Sequence, residues 1–138
     1  MKHTIDMRCM RYLNLFEKIT GVRTKNCFFY NNLIIFAVPR GWVSRVIGEQ
    51  GKNAKRISYS LGRRIKIVGL PENIKDVERF ISDIVSPLMF RSLEVTENEI
   101  IISANKEARA ALIGRNKVKF LELKKIVEEY FGRELKIV

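Results

Sequence analysis

Histidine and cysteine are almost absent from this chain. His3 stands alone, and the two cysteines, Cys9 and Cys27, show no CxxC spacing. No metal-ligand cluster can be assembled from that inventory, and a lone, near-terminal histidine cannot anchor a catalytic triad. Cys9 falls on the apolar stripe of an expected helix and Cys27 in an expected strand, positions that favour burial over redox chemistry. No stretch approaches the ~18 apolar residues that a membrane-spanning helix needs. The opening MKHTIDMRCMRYLNLFEKI has no unbroken apolar core of the kind that marks a signal peptide. A cytoplasmic, reducing location without a membrane partner is expected. Neither of the glycine-rich patterns that cradle nucleotide phosphates is present. The acids mostly alternate with bases along helical stretches, as in surface ion pairing. No enzyme activity, cofactor, metal or small-molecule substrate is therefore expected.

Acidic residues are scarce in one half only. Residues 1–68 hold 14 Lys and Arg against 3 Asp and Glu, whereas residues 69–138 hold 12 of each. The net charge of +11 over 138 residues points to a polyanion, with nucleic acid first and an anionic membrane surface as the rival. The long-range field comes from the first half. The second half keeps a local basic stretch, in which Lys106, Arg109, Arg115, Lys117 and Lys119 face Glu107 alone.

What is present is a duplication. Val46-Ile47-Gly48-Glu49-Gln50-Gly51-Lys52, closing in Ile65-Lys66-Ile67-Val68, is echoed by Leu112-Ile113-Gly114-Arg115-Asn116-Lys117, closing in Leu135-Lys136-Ile137-Val138. Gly48 and Gly114 lie 66 positions apart, nearly half the chain. The second copy is four residues longer between loop and final valine, about one helical turn. The flanks repeat as well. A helix is expected over 4–19, with Thr4 as cap and Ile5, Cys9, Leu13 and Phe16 on one face. Strands follow at 25–30 and 33–38 around the turn signal Asn31-Asn32, the second of them a near-continuous apolar run. A short helix is expected over 42–47, then the loop, a helix over 52–61 stopped by Gly62, and a strand at 64–68. In the second half Pro71 suits a first helical turn. Ile74, Val77, Ile81, Ile84 and Leu88 form an apolar stripe, and Pro87 biases that helix to end before it. Strands at 93–96 and 100–104, helices at 106–113 and 118–131, and a strand at 134–138 complete the repeat. The reading is α+β, with domains at 1–69 and 70–138. The junction at Gly69-Leu70-Pro71 lacks linker composition, so docked halves are expected.

The chemistry sits at the loops. Glycine at both ends of Gly48-Glu49-Gln50-Gly51 allows tight backbone geometry and close approach by another molecule. The helix that follows offers free amides and a partial positive charge to a phosphate. Lys52, Lys55 and Arg56 add full charges, and Arg45 precedes them. In the second copy Gly114, Arg115, Asn116, Lys117 and Lys119 take these places. Ile47 and Ile113 are candidates to line an apolar groove. Phe28, Phe29, Tyr30, Phe36, Phe120, Tyr130 and Phe131 read better as packing residues than as base-stacking ones, while Trp42 fits either role.

The run Gly48-Glu49-Gln50-Gly51-Lys52-Asn53-Ala54-Lys55-Arg56, with Leu61-Gly62-Arg63-Arg64-Ile65-Lys66-Ile67, resembles the tandem KH region of the NusA transcription factors in its short archaeal form. Ala111-Leu112-Ile113-Gly114-Arg115-Asn116 and Tyr130-Phe131-Gly132 resemble the second KH copy of that form. The resemblance implies two tandem type II (prokaryotic) KH domains, each a small three-stranded sheet with helices packed on one face. It also implies single-stranded RNA as partner, a role in transcription elongation or termination, and a link to RNA polymerase. A KH loop clamps a few nucleotides of backbone. The implied RNA-binding residues are Arg45, Ile47, Gly48, Glu49, Gln50, Gly51, Lys52, Lys55 and Arg56, then Ile113, Gly114, Arg115, Asn116, Lys117 and Lys119. Two residues depart from the family pattern: Lys117 stands where glycine is usual, and Glu49 where a basic residue is common. The alternatives are a ribosome-associated or ribosome-assembly KH protein, and an adaptor whose basic face binds an acidic protein.

Overall fold

The computed structural model describes residues 7–138. They form two compact units, one ending at Pro71 and one running Glu72–Val138. The first contains α1 (Cys9–Thr20), β1 (Asn26–Tyr30), β2 (Leu33–Val38), α2 (Val43–Ile47), α3 (Lys52–Leu61) and β3 (Ile65–Gly69). The second contains α4 (Val77–Val85), β4 (Ser92–Val95), β5 (Glu99–Ser103), α5 (Lys106–Ile113), α6 (Val118–Phe131) and β6 (Glu134–Ile137). The order helix–strand–strand–helix–loop–helix–strand is the same in both.

Each unit has a three-stranded sheet with the middle strand of the chain order at its centre, β1-β2-β3 and β4-β5-β6. The first pairing is antiparallel and the second parallel in both sheets. The β1–β2 hairpin turns on Asn31 and Asn32, both at positive φ (51° and 62°), the geometry a two-residue hairpin favours and asparagine tolerates. The central strand β2 is apolar throughout and buried from Ile34 to Val38, as a strand covered on both faces must be. Ile34, Phe36 and Val38 join Cys9, Phe16, Cys27, Val46, Ile57 and Ile67 in one core. Phe16 stacks on Phe36 with ring centroids 4.6 Å apart, fastening α1 to the sheet. Burying side chains of this size contributes about 1.5–3 kcal/mol each. Cys9 and Cys27 are buried and not joined in a disulfide, and the Cys9 thiol donates to the Cys27 carbonyl at 3.4 Å. In the second unit β5 alternates, with Ile100 and Ile102 buried, and Phe80 packs on Tyr130 at 5.0 Å.

The structure departs from the sequence reading in several places. The first helix is described from Cys9; Thr4, Ile5 and His3 lie outside the described residues. Pro71 is not in a helical turn. Glu72 donates its amide to the Asp76 carboxylate, and Asn73 caps a short 3-10 turn at Ile74–Asp76 by accepting from Lys75, so α4 begins only at Val77. These local side-chain bonds compete with helix and delay it. Trp42 ends a separate 3-10 turn, Arg40–Trp42, before α2. The extra helical turn of the second copy lies in α6, 14 residues against 10 in α3. Among the described residues, no helix is long and apolar enough to cross a membrane.

Candidate nucleic-acid interface

The loop after α2 is held by its own backbone. The Gly51 amide donates to the Gly48 carbonyl at 3.0 Å, and the Lys52 amide to Glu49. The loop after α5 repeats this, with Lys117 donating to Gly114 at 3.2 Å and Val118 to Arg115. Two amides that the sequence reading offers to a phosphate are therefore engaged internally in each loop. What they give instead is a turn closed by its own backbone hydrogen bonds. Neither α3 nor α6 has a side-chain cap at its start, so no side chain is bonded to the first amides at the positive end of either helix dipole.

The torsion angles of the two loops coincide. Gly48 (φ 84°, ψ 164°) matches Gly114 (76°, 172°), Gln50 (55°, 26°) matches Asn116 (57°, 24°), and Gly51 (74°, 18°) matches Lys117 (61°, 21°). Lys117 thus adopts the left-handed conformation of the glycine it replaces. Such a conformation costs a non-glycine residue roughly 1–2 kcal/mol.

The glycines have different tasks. A Cβ on Gly48 would lie 3.0 Å from the Asn53 backbone nitrogen, and one on Gly114 would lie 3.0 Å from Lys119 Cγ. These glycines serve the loop's own packing against the next helix. A Cβ on Gly51 would meet only Lys55 Cε at 3.8 Å, an ordinary contact, so at that position the positive φ and not crowding is what favours glycine. Gly48 and Gly114 are themselves half-exposed.

Around the first loop, Glu49, Gln50, Lys52 and Lys55 line one open cavity of about 340 Å³. Arg45 and Arg56 are exposed outside it. The Arg45 guanidinium lies 5.2 Å from the centre of the half-exposed Trp42 ring, which steadies a cation one turn ahead of the loop. Ile47 packs against the core rim. Around the second loop, Ile113, Lys117 and Phe120 form one wall of a groove of about 360 Å³, and Glu134, Leu135, Lys136, Ile137 and Val138 form the other. Ile113 is thus one of the residues lining this groove. Arg115 and Asn116 are exposed beyond it, and the half-buried stem of Lys119 lies beneath Gly114. At the groove edge Lys136 pairs with Glu99 across the sheet. That hydrogen bond and the Glu99 charge raise the Lys136 pKa above its ordinary value. Among the described residues no group of three His, Cys, Asp or Glu side chains could hold a metal ion.

No family model matches the chain. It is 25% identical over 134 residues to a Halococcus morrhuae protein named probable transcription termination protein NusA, covering 95% of this chain and 94% of that one. Proteins of the same name from Methanococcus vannielii and Methanocaldococcus jannaschii are each 27% identical, over 118 and 106 residues. Those matches cover 83% and 74% of this chain, and 66% and 56% of the relatives. The crystal structure of APE1850 superposes with a TM-score of 0.68 at 27% identity, covering 97% of this chain and all of the other. The chain is NusA-like.

Within this NusA-like chain, two small α+β units with three-stranded sheets are consistent with KH-like domains. The helices that leave the two loops differ in charge. α3 exposes Lys52, Lys55 and Arg56, whereas α6 exposes Val118 and Leu121 and has Glu122 at the corresponding third place. The first loop can thus hold an anion by charge as well as shape. The second offers Arg115, Lys117 and an apolar groove.

Proposed function

We propose that the chain is a non-enzymatic, cytoplasmic protein that binds single-stranded RNA during transcription termination or elongation. It would be built from two type II KH domains at 1–69 and 70–138. The parallel final pairing in each sheet and the helix ahead of the first strand support that type. The observation that carries the reading is the repeated loop: the same torsion angles 66 residues apart, one copy beside a cluster of exposed cations and the other beside an apolar groove. Arg45, Lys52, Lys55 and Arg56 contact phosphates at the first loop, and Gly51 admits the backbone. Arg115, Lys117 and Lys119 serve the second loop, where Ile113 walls the bases, as Ile47 does in the first. Phosphate contacts position RNA without reading it, so sequence preference comes from the grooves. RNA polymerase is the expected protein partner, since the relatives are named transcription termination proteins and that process acts on a transcribing polymerase.

The test is the double variant Glu49→Asp with Gln50→Asp. Gln50 holds a positive φ that aspartate tolerates, so the fold is retained while carboxylates crowd the phosphate path. The variant is expected to lose binding of short single-stranded RNA in a gel-shift assay. A folded variant that binds as the parent does refutes the loop mechanism. Failure of the parent to bind RNA even at low salt would favour the adaptor.

A further inference from the structure

We infer that the solvent face of α3 is an additional RNA-binding surface, on which Tyr59 is a stacking platform for a base beyond the loop. The inference rests on the RNA-binding reading and extends it to a residue that the loop motif does not contain.

Lys52, Lys55, Arg56 and Tyr59 occupy positions i, i+3, i+4 and i+7 of α3, one face of a helix. All four are exposed, while Asn53, Ala54, Ile57, Ser58 and Leu61 turn inward. The helix is held to its core by Ile57, which is fully buried. Tyr59 has no share in that packing. It is 90% exposed, the most open of the large hydrophobic residues described. An aromatic ring left in water beside two cations suits a ligand with π faces and negative charges in alternation, which is single-stranded nucleic acid. An acidic peptide would engage the cations but gives the ring no comparable partner. From Lys52 to Tyr59 the helix rises about 10 Å, the span of roughly three stacked nucleotides. The surface is continuous with the loop, because Lys52 and Lys55 also line the loop's cavity.

The second unit supplies an internal comparison. The corresponding positions of α6 are Val118, Leu121, Glu122 and Lys125, with no aromatic residue and one acid. The feature therefore does not come with the repeat. It belongs to the first half, which also carries the whole net charge.

The experiment measures affinity of the full chain for single-stranded RNAs of about four and about eight nucleotides, by fluorescence anisotropy. The shorter RNA covers little more than the loop, since a KH loop clamps about four nucleotides. Tyr59→Ala is expected to bind the shorter RNA as the parent does, and the longer one about 5- to 150-fold more weakly, the range one base stack supplies. Tyr59→Phe should keep the parent's affinity for both. Equal affinity of Tyr59→Ala and parent for the longer RNA at low salt overturns the inference. The loop double variant separates the two claims. Loss of both RNAs by that variant, beside an unaffected Tyr59→Ala, leaves the loop reading intact and removes this one. Normal binding of both RNAs by the loop variant removes the loop reading, whatever Tyr59 does.

Discussion

Replacing Gly48 with alanine should destabilise the protein more than the same change at Gly51, although both glycines bound one motif. At Gly48 the backbone angles (84°, 164°) lie in a region open essentially to glycine alone, which costs another residue about 1–3 kcal/mol. The new Cβ would also stand 3.0 Å from the Asn53 backbone nitrogen, in the first turn of α3, where nothing flexible can yield. Gly51 sits in the ordinary left-handed region, at about 1–2 kcal/mol for alanine, and its Cβ would meet only a lysine tip at 3.8 Å. Gly114 falls between: its angles resemble those of Gly48, but the crowding atom is Lys119 Cγ, which can move. The expected order of loss is Gly48, Gly114, Gly51. Urea unfolding reads it as a shift in midpoint at constant slope. A Gly51→Ala loss equal to or larger than that of Gly48→Ala would refute the account of the loop.

Lys117→Gly should stabilise the chain by about 0.5 kcal/mol, because relief of the left-handed lysine outweighs the extra freedom of glycine in the unfolded chain; the same urea titration measures it. Phe36→Ala should cost about 3–5 kcal/mol, since it empties the fully buried ring stacked on Phe16. Lys55→Gln should lower the salt slope of log affinity for single-stranded RNA by about 0.7, one phosphate contact's worth; an unchanged slope removes Lys55 from the phosphate path. Lys136 should titrate above an ordinary lysine and return towards it in Glu99→Gln, by NMR of its side-chain methylenes. Because the folded pKa is the raised one, the pairing contributes its stability below the unfolded pKa and loses it as pH rises through the folded value.

Much of the architecture is legible in the sequence because local signals agree with tertiary demands. The run at Leu33–Val38 is apolar without alternation and becomes a central strand buried on both faces. The helices at Lys52–Leu61 and Val118–Phe131 are bounded by the loop on one side and a left-handed glycine on the other, so their ends need no tertiary information. Pro71 misleads because proline at a first turn is permissive and not directive. The side chains of Asn73 and Asp76 decide where α4 starts. The loops are legible as motifs but not as geometry. Nothing in the sequence says that Lys117 would copy the torsion angles of Gly51, or that Gly48 serves internal packing. Tyr59 escapes a reading that sorts aromatic residues by apolar runs, because it stands alone on a polar helix face. Its spacing of seven from Lys52 is the signal that could have found it.

The most direct test of the central claim is amide chemical-shift mapping of the full chain as a short single-stranded RNA is added. Shifts gathered at residues 48–56 and 114–119 are the expected result. A bound RNA that leaves both segments unmoved would contradict it.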